Sequence, residues 1–240
     1  MITAVILAGG LGTRIRAAIG DKAKALAAIE GVTFLELFLG LLRQAGVGRA
    51  VLLTGFDADS VEAEALRLSG ADFTIDWVRE DQPLGTGGAL VNALRALPQD
   101  GPFLVMNGDT WIDFDPAALI KRHTESGACV SIAATDIDDC SDFGTLKVDE
   151  GGRLLAFCEK MPGRGLVNAG IYVISRDVVA DFPARFPLSL ERDVFPGLVE
   201  AGQRLTVVAV PGPFYDIGTP ERLAYFRDLV RSGQLGGHGD

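Results

Sequence analysis

The chain has 240 residues, of which 48% are hydrophobic, and its formal net charge is −10. This length and composition fit one large α/β domain and exclude a disordered chain. The negative charge argues against nonspecific binding to nucleic acid or to anionic membranes, and the first apolar segment is too short to span a membrane.

The cysteines and histidines are few. Cys129, Cys140 and Cys158 are widely spaced and form no C-x-x-C pair, which predicts a reduced, cytoplasmic protein without a disulfide framework or a zinc site. The histidines are His123 and His238, so the chain has few candidates for an imidazole general base. His123 falls in a polar helical stretch, and we expect it at the surface.

The first predicted element is a buried strand that leads directly into a glycine-rich turn, A-V-I-L-A-G-G-L-G-T-R, at residues 4–14. Glycines let the backbone approach a ligand closely, and successive N–H groups in such a turn can bind an anion. Arg14 adds a planar cation suited to phosphate. The P-loop lysine is missing, and Ile15 stands where the dinucleotide fingerprint needs its last glycine. The turn therefore predicts a triphosphate-binding loop of another type.

Further along the chain, residues 16–24 are predicted to form a mobile loop and residues 25–29 a short strand. Helices and strands then alternate, which predicts a largely parallel sheet. The helices are residues 34–45, 58–68, 85–97 and 116–126, and the strands are residues 50–54, 73–78, 103–106 and 129–134. Ligands of such sheets lie beyond the carboxyl ends of the strands, so Asp109 should share a crevice with the glycine-rich turn.

From residue 136 onward, strands follow one another without helices, which indicates an antiparallel portion added to the parallel sheet. These strands are residues 144–149, 154–159 and 168–174. Helices at 177–182 and 190–201, a strand at 205–210 and a closing helix at 220–230 complete the chain. We expect a single domain over residues 1–231 and a flexible tail over residues 232–240.

Six motifs occur in a fixed order along the chain. After the glycine-rich turn come Lys24, P-L-G-T-G-G at 83–88, N-G-D at 107–109, E-K at 159–160, N-A-G-I-Y at 168–172 and Y-D-I-G-T-P at 215–220. In this order they resemble the sugar-1-phosphate nucleotidylyltransferases over residues 2–230. The resemblance implies a three-layer, Rossmann-like (GT-A-like) α/β fold with a mixed, mostly parallel sheet. Residues 1–135 would form the nucleotide-binding half and residues 136–231 the sugar-phosphate-binding half.

The implied reaction is attack by a sugar 1-phosphate on the α-phosphorus of a nucleoside triphosphate, which releases pyrophosphate. Because the nucleophile is already ionised, catalysis needs positioning and charge neutralisation rather than a general base. By resemblance, Asp109 and Asp216 hold Mg²⁺, Lys24 neutralises the α-phosphate and Arg14 holds the β- and γ-phosphates. Taken singly, Asp109 could be a turn residue and Asp216 the cap of the last helix.

The lysine loop departs from the family pattern. The family lysine is usually flanked by prolines, whereas this chain has A-K-A at residues 23–25. The loss of proline suggests a looser loop, or a role shared between Lys24 and Lys22.

The resemblance also implies the ligands of both substrates. The nucleotide-binding residues would be Leu7, Ala8, Gly9, Gly10, Gly12, Thr13, Glu80, Gln82, Pro83, Gly85, Thr86 and Gly108. The sugar phosphate would be bound by Gly144, Glu159, Lys160, Asn168 and Glu191, although Glu191 could instead cap a helix start. A carboxylate such as Glu80 suits guanine and an amide such as Gln82 suits uracil, so these side chains leave the base open.

Within the family, the motifs most resemble D-glycero-α-D-manno-heptose 1-phosphate guanylyltransferases, which would make GTP and a heptose 1-phosphate the substrates. Enzymes that make UDP-N-acetylmuramate or GDP-mannose are alternatives, with glucose 1-phosphate a further acceptor. A non-catalytic regulatory protein and a dinucleotide-dependent oxidoreductase are hypotheses of other classes. The expected partners are the two substrates, with no nucleic acid and no membrane, and the chain could form a homo-oligomer.

Overall fold

The computed structural model describes residues 1–141, 143–158 and 162–235, which contain thirteen strands. In chain order they are β1 Ile2–Leu7, β2 Ala28–Ile29, β3 Val32–Thr33, β4 Val47–Thr54, β5 Thr74–Arg79, β6 Pro102–Asn107, β7 Thr110–Ile112, β8 Val130–Ile137, β9 Thr145–Val148, β10 Leu154–Cys158, β11 Gly165–Ser175, β12 Leu205–Ala209 and β13 Phe214–Asp216.

Eight α-helices accompany these strands in the described part of the chain. They are α1 Arg16–Ile19, α2 Phe34–Gln44, α3 Ala58–Leu68, α4 Gly85–Asn92, α5 Pro116–Ser126, α6 Arg176–Ala180, α7 Phe195–Glu200 and α8 Pro220–Arg231. A 3₁₀ helix covers Lys24–Leu26 and a π-helix covers Leu190–Val194. None of the helices in the described ranges is long and apolar enough to cross a membrane.

Nine of the strands form one central sheet. In its first half, β6, β1, β4 and β5 are neighbours and all run parallel. Strand β11 runs antiparallel between β6 and β8, and β12 extends the sheet parallel to β8. The β9–β10 hairpin adds to the other end of β11. This is the mixed sheet with a parallel centre that the sequence predicts, and its antiparallel strands lie in the second half of the chain as expected.

Helices cover both faces of the sheet, because alternate residues of the buried strands point to opposite sides. Ile6 of β1 packs in one core with Phe34 of α2, and helices α3, α5 and α8 contribute to the same core. Val5 packs on the other side with Leu90 of α4, together with residues of α6 and α7. The two cores give the three-layer architecture predicted from the sequence.

The short strands β7 and β13 pair with each other outside the central sheet and were not predicted. Three residues are too few to show a hydrophobic period, so neither segment carries a strand signal in the sequence. Their pairing sets Asp216 opposite Thr110. Because Asp109 directly precedes Thr110, β7 and β13 bring two distant aspartates to one place.

The lysine segment also differs from its prediction. Residues 25–29 were expected as one strand, but residues 24–26 form a 3₁₀ turn and only Ala28–Ile29 is extended. Residues 16–24 were expected as a loop, but they contain helix α1. A short apolar run does not distinguish strand from helix by its period. Residues 190–201 were expected as one helix, and they begin instead with the π-helical turn.

The prediction that His123 lies at the surface is wrong. The side chain is buried and 3% exposed, on the inner face of α5. Its Nδ1 lies 2.9 Å from the Ser131 hydroxyl and its Nε2 3.1 Å from that of Ser175. The Ser131 hydroxyl in turn lies 2.9 Å from that of Thr206. Hydroxyl partners from β8 and β11 therefore satisfy a histidine whose sequence neighbours are polar, and Thr206 of β12 continues the network through Ser131.

Burial lowers the pKa of His123 below its ordinary value of about 6.5. The unfolded chain therefore binds a proton at a higher pH than the folded chain, and stability should fall as the pH drops below about 6.5. We expect urea unfolding of a His123→Gln variant to lose less free energy between pH 7 and pH 5 than the wild type loses. Equal losses in the two proteins would show that His123 does not contribute to the acid sensitivity.

Candidate functional site

A cavity of about 310 Å³ lies at the carboxyl ends of the parallel strands β1, β4 and β6. Eleven of the predicted site residues line it: Leu7, Ala8, Gly9, Gly10, Lys24, Glu80, Pro83, Gly85, Thr86, Gly108 and Asp109. Five residues that were not predicted complete the lining: Leu11, Ala25, Leu53, Ala89 and Asn107. The glycine-rich turn therefore faces the P-L-G-T-G-G segment across one cavity.

The glycines of the first turn leave room for two charged side chains. A Cβ on Gly9 would lie 2.7 Å from Glu80 Oε1, so a larger residue there would displace this carboxylate from its position over the turn. Gly12 has φ of +59°, and a Cβ there would lie 3.0 Å from Cγ of Lys24. The turn thus leaves room for one acidic and one basic side chain that line the cavity. Gly12 itself and the exposed Thr13 stand outside the cavity lining.

Glu80 follows β5 and is held over the glycine-rich turn. Its Oε2 accepts a hydrogen bond from the Leu84 backbone N–H at 3.2 Å. Burial raises the pKa of the Glu80 carboxyl, and the Leu84 hydrogen bond opposes that shift in part. Gln82, the other candidate for contact with the base, is exposed and lies outside the lining.

Lys24 also lines the cavity and pairs with Asp109 through its Nζ. The pair is largely buried, with 20% of the lysine and 25% of the aspartate side chain exposed. Lys22, two residues earlier, is exposed. The backbone N–H of Ala23 donates to Asp57 Oδ2 at 3.0 Å, which ties the lysine loop to the start of α3. A side-chain acceptor thus fixes a loop that lacks the flanking prolines.

Asp216 lies beside Asp109, because the backbone N–H of Ile217 donates to the Asp109 carbonyl at 3.0 Å. Asp216 Oδ1 accepts from the Gly218 N–H at 2.9 Å, and its Oδ2 pairs with Arg222 of α8 at 2.6 Å. Asp216 does not cap α8, since the N-cap is Thr219. The alternative that Asp216 is a helix cap is therefore excluded.

Arg14 approaches the same turn from the glycine-rich loop. Its side chain is exposed, and its Nη2 is 3.7 Å from the position that a Cβ would take on Gly218. The guanidinium therefore stands next to the Asp216 turn rather than inside the cavity. Arg14, Lys24 and Arg222 surround the two aspartates with positive charge, as the binding of a polyanion requires.

The two carboxylates fit a magnesium ion of the kind that substrate phosphates complete. Mg²⁺ is commonly held by one or two protein carboxylates, with phosphate oxygens and waters as its other ligands. Residues 1–141, 143–158 and 162–235 contain no group of three or more His, Cys, Asp or Glu side chains able to hold a metal alone. Asp109 and Asp216, which lie side by side, are the carboxylates that could hold such an ion together with phosphate oxygens.

The predicted sugar ligands lie on the other side of Thr86. Asn168 of β11 and Glu191 of the π-helix both contact the hydroxyl of the buried Tyr172. Glu191 also accepts from the Thr86 hydroxyl at 3.2 Å, and the backbone N–H of Leu190 donates to that hydroxyl at 2.8 Å. This is not a helix-capping arrangement, because the cap of that helix is Ser189. Thr86 therefore links the cavity to two of the predicted sugar ligands, Glu191 directly and Asn168 through Tyr172.

Three further residues were predicted to bind the sugar phosphate: Gly144, Glu159 and Lys160. Gly144 is exposed and directly precedes β9, where a Cβ would lie 3.4 Å from the Cys158 carbonyl oxygen. Glu159 and Lys160 lie outside the described residues.

The second glycine string joins the two halves of the chain. The backbone N–H groups of Gly87 and Gly88 donate to the Leu188 carbonyl at 2.8 and 3.2 Å. A Cβ on Gly85 would lie 2.5 Å from that same oxygen. The glycines of this string therefore allow the segment before Glu191 to pack directly on α4.

Besides the five unpredicted lining residues, three residues that hold site side chains in place were not identified from the sequence. Tyr172 was quoted within a motif without a role, whereas Asp57 and Arg222 belong to no motif. Of these three, only Tyr172 could have been identified from the sequence. It lies in a predicted buried strand, and a buried tyrosine hydroxyl needs a hydrogen-bond partner.

Comparison with known proteins identifies close relatives. The nucleotidyl transferase family model matches residues 3–231. The chain is 35% identical to the mannose-1-phosphate guanylyltransferase of Mycobacterium tuberculosis, with 99% of this chain and 68% of that protein covered. It is 32% identical to the D-glycero-α-D-manno-heptose 1-phosphate guanylyltransferase of Campylobacter jejuni, with 93% and 97% covered.

The fold is also similar to that of solved structures. The crystal structure of HddC from Yersinia pseudotuberculosis matches with a TM-score of 0.86 at 30% identity, covering 96% of this chain and 100% of HddC. HddC complexed with GMP-PN matches with a TM-score of 0.85.

Proposed function

Because the chain belongs to the nucleotidyl transferase family, we propose that it transfers GMP from GTP to a sugar 1-phosphate and releases pyrophosphate. The observation that carries this proposal is that Asp109 and Lys24 line a cavity beside the glycine-rich turn, with Asp216 next to Asp109. The named relatives, which are sugar-1-phosphate guanylyltransferases, support the same reaction class. We propose the cytoplasm as its location, since three free thiols suit a reducing compartment.

The proposed acceptor is D-glycero-α-D-manno-heptose 1-phosphate. The Campylobacter heptose relative is matched over 97% of its own length, and a second heptose relative, from Aneurinibacillus thermoaerophilus, is 29% identical. Mannose 1-phosphate is the second candidate, because the Mycobacterium mannose relative is 35% identical.

The chemistry asks for charge neutralisation and alignment rather than proton transfer, because a phosphate monoester oxygen is already ionised. Lys24 would neutralise the α-phosphate from the wall of the cavity, and Arg14 would hold the outer phosphates at its rim. Asp109 and Asp216 would hold Mg²⁺, which when bound neutralises phosphate charge. Together with Lys24 and Arg14, the two aspartates would hold the triphosphate in place for attack by the acceptor oxygen.

The test is a matrix of the four common nucleoside triphosphates against heptose, mannose, glucose and N-acetylated sugar 1-phosphates. Pyrophosphate release and the mass of the nucleotide sugar are measured with and without Mg²⁺. We expect the highest kcat/KM with GTP and the heptose, and no product without a divalent ion. Absence of release with every pair would support the non-catalytic alternative, and binding of NAD(H) would support the oxidoreductase.

Glu80 is the residue that we propose reads guanine, since a carboxylate accepts from both N1–H and the N2 amino group. A Glu80→Gln variant keeps the shape but offers one acceptor and one donor. We expect its KM for GTP to rise about 10- to 100-fold, the range of one good two-bond base contact. The ratio of kcat/KM for GTP to kcat/KM for UTP should fall by a similar factor.

The matched control for this variant is Gln82→Ala. Gln82 is exposed and outside the cavity lining, so its loss should leave the KM for GTP within about twofold. If Gln82→Ala weakened GTP binding and Glu80→Gln did not, the base would be read by Gln82 instead.

A further inference from the structure

We propose that Tyr172 is the positioning residue for the acceptor sugar, because its hydroxyl holds Asn168 and Glu191 in a fixed relation to each other. The inference rests on the proposed function. It assigns a role to a residue that does not itself line the cavity.

Tyr172 is fully buried on β11, at 0% exposure. Its hydroxyl donates to Glu191 Oε1 at 2.9 Å and accepts from Asn168 Nδ2 at 2.8 Å. Its ring lies against Phe195, with centroids 5.0 Å apart. A buried and fully packed ring has little freedom, so the phenolic oxygen is a rigid anchor for both polar side chains.

Asn168 and Glu191 each keep hydrogen-bonding capacity that their contacts within the described part of the chain do not use. Asn168 Oδ1 accepts from the Gly170 N–H at 2.9 Å, which fixes the orientation of the amide. One of the two Nδ2 hydrogens is donated to the phenol. Within the described residues, the other hydrogen has no acceptor assigned to it. Asn168 therefore presents a single N–H donor.

Glu191 presents the complementary acceptor. Its Oε2 accepts from the hydroxyls of Ser189, at 2.8 Å, and Thr86, at 3.2 Å. Its Oε1 accepts from Tyr172 and retains a second lone pair. Burial and the adjacent Glu191 carboxylate raise the pKa of Tyr172 well above its ordinary value, so the phenol remains a donor at neutral pH.

Asn168 supplies a donor and Glu191 an acceptor, and both are hydrogen-bonded to the same phenolic oxygen. This combination suits the hydroxyls of a sugar, each of which both donates and accepts. Both Asn168 and Glu191 are only partly buried, so a ligand can reach them. The Thr86 hydroxyl, on the wall of the nucleotide cavity, fixes Glu191 from the other side. Asn168 and Glu191, the proposed sugar ligands, are thereby held in a fixed position relative to the proposed nucleotide cavity.

The experiment is a Tyr172→Phe variant, which removes the anchor and keeps the ring. We expect its KM for the sugar 1-phosphate to rise about 10-fold, while the KM for GTP stays within about twofold. Its preference for one acceptor over another should also narrow. Tyr225→Phe is the control, since that hydroxyl is on an exposed side chain of α8, and it should leave both KM values unchanged.

A second measurement separates positioning from stability. Glu191→Gln should raise the KM for the sugar 1-phosphate, and combining it with Tyr172→Phe should add little, because both act through one contact. Tyr172→Phe overturns the inference if it only lowers Tm, or if it changes both KM values equally. A wild-type chain that turned over no sugar 1-phosphate would overturn the proposed function and, with it, this inference.

Discussion

Replacing Asp109 by asparagine is expected to lower kcat by about 10²- to 10³-fold, the range found when one preorganised group of a transition-state site is removed. The carboxylate lies in the cavity lining, pairs with Lys24, and is joined by backbone to the Asp216 turn. Asparagine has the same shape but no charge. It therefore loses the proposed metal ligand and the electrostatic partner of the lysine together.

The measurement is Mg²⁺-dependent pyrophosphate release at saturating GTP and acceptor, with Tm recorded to show that the fold persists. Asp113→Asn is the matched control, since Asp113 is exposed and lies four residues further along the chain, outside the cavity lining. It should keep near-normal turnover. A near-normal rate for Asp109→Asn would remove Asp109 from the proposed metal site.

The sequence was sufficient to predict the parallel centre of the sheet and the edge at which the site lies. Strands β1, β4 and β6 are largely apolar on both faces. Strand β4 ends at Thr54 and β6 at Asn107, and a glycine pair follows β1 after one residue, so the pattern indicates both the strand and its carboxyl end. The placement of Gly9 and Asp109 around one cavity follows from that rule, whereas the P-L-G-T-G-G segment was assigned to the site by resemblance.

Contacts between segments that are far apart in sequence could not be predicted. His123 stands among polar neighbours, and only its hydroxyl partners Ser131 and Ser175, on two other strands, make its burial favourable. Asp57 likewise acts on Ala23 from a distance of 34 residues. The division of the domain at residue 135 and the roles of Glu159 and Lys160 stay predictions.

The lysine loop shows how one such contact changes an interpretation. Its alanines in place of prolines suggested a looser segment, in which Lys22 could share the role of Lys24. Ala23 has φ of −60°, a value that a proline would also impose, but its N–H is donated to Asp57. A proline would forfeit that hydrogen bond. Ala23 and Ala25 are also buried, so the loop has a definite register.

That register predicts unequal effects for the two lysines. Lys24→Ala should lower kcat by about 10²-fold or more, because it removes a positive charge placed beside the carboxylates in a partly buried site. Lys22→Ala should stay within about twofold, because the Lys22 side chain is exposed. The rates are compared in single-turnover assays, so that product release does not mask a slower chemical step.

Lys24→Arg provides the finer comparison. Arginine keeps the charge, but its planar guanidinium does not replace a compact ammonium in a narrow site, so we expect only partial recovery over Lys24→Ala. Full recovery would show that charge alone matters at this position. If Lys22→Ala proved the slower variant, Lys22 would be the residue that meets the α-phosphate, and the hydrogen bond from Ala23 to Asp57 would not set the register of the loop during catalysis.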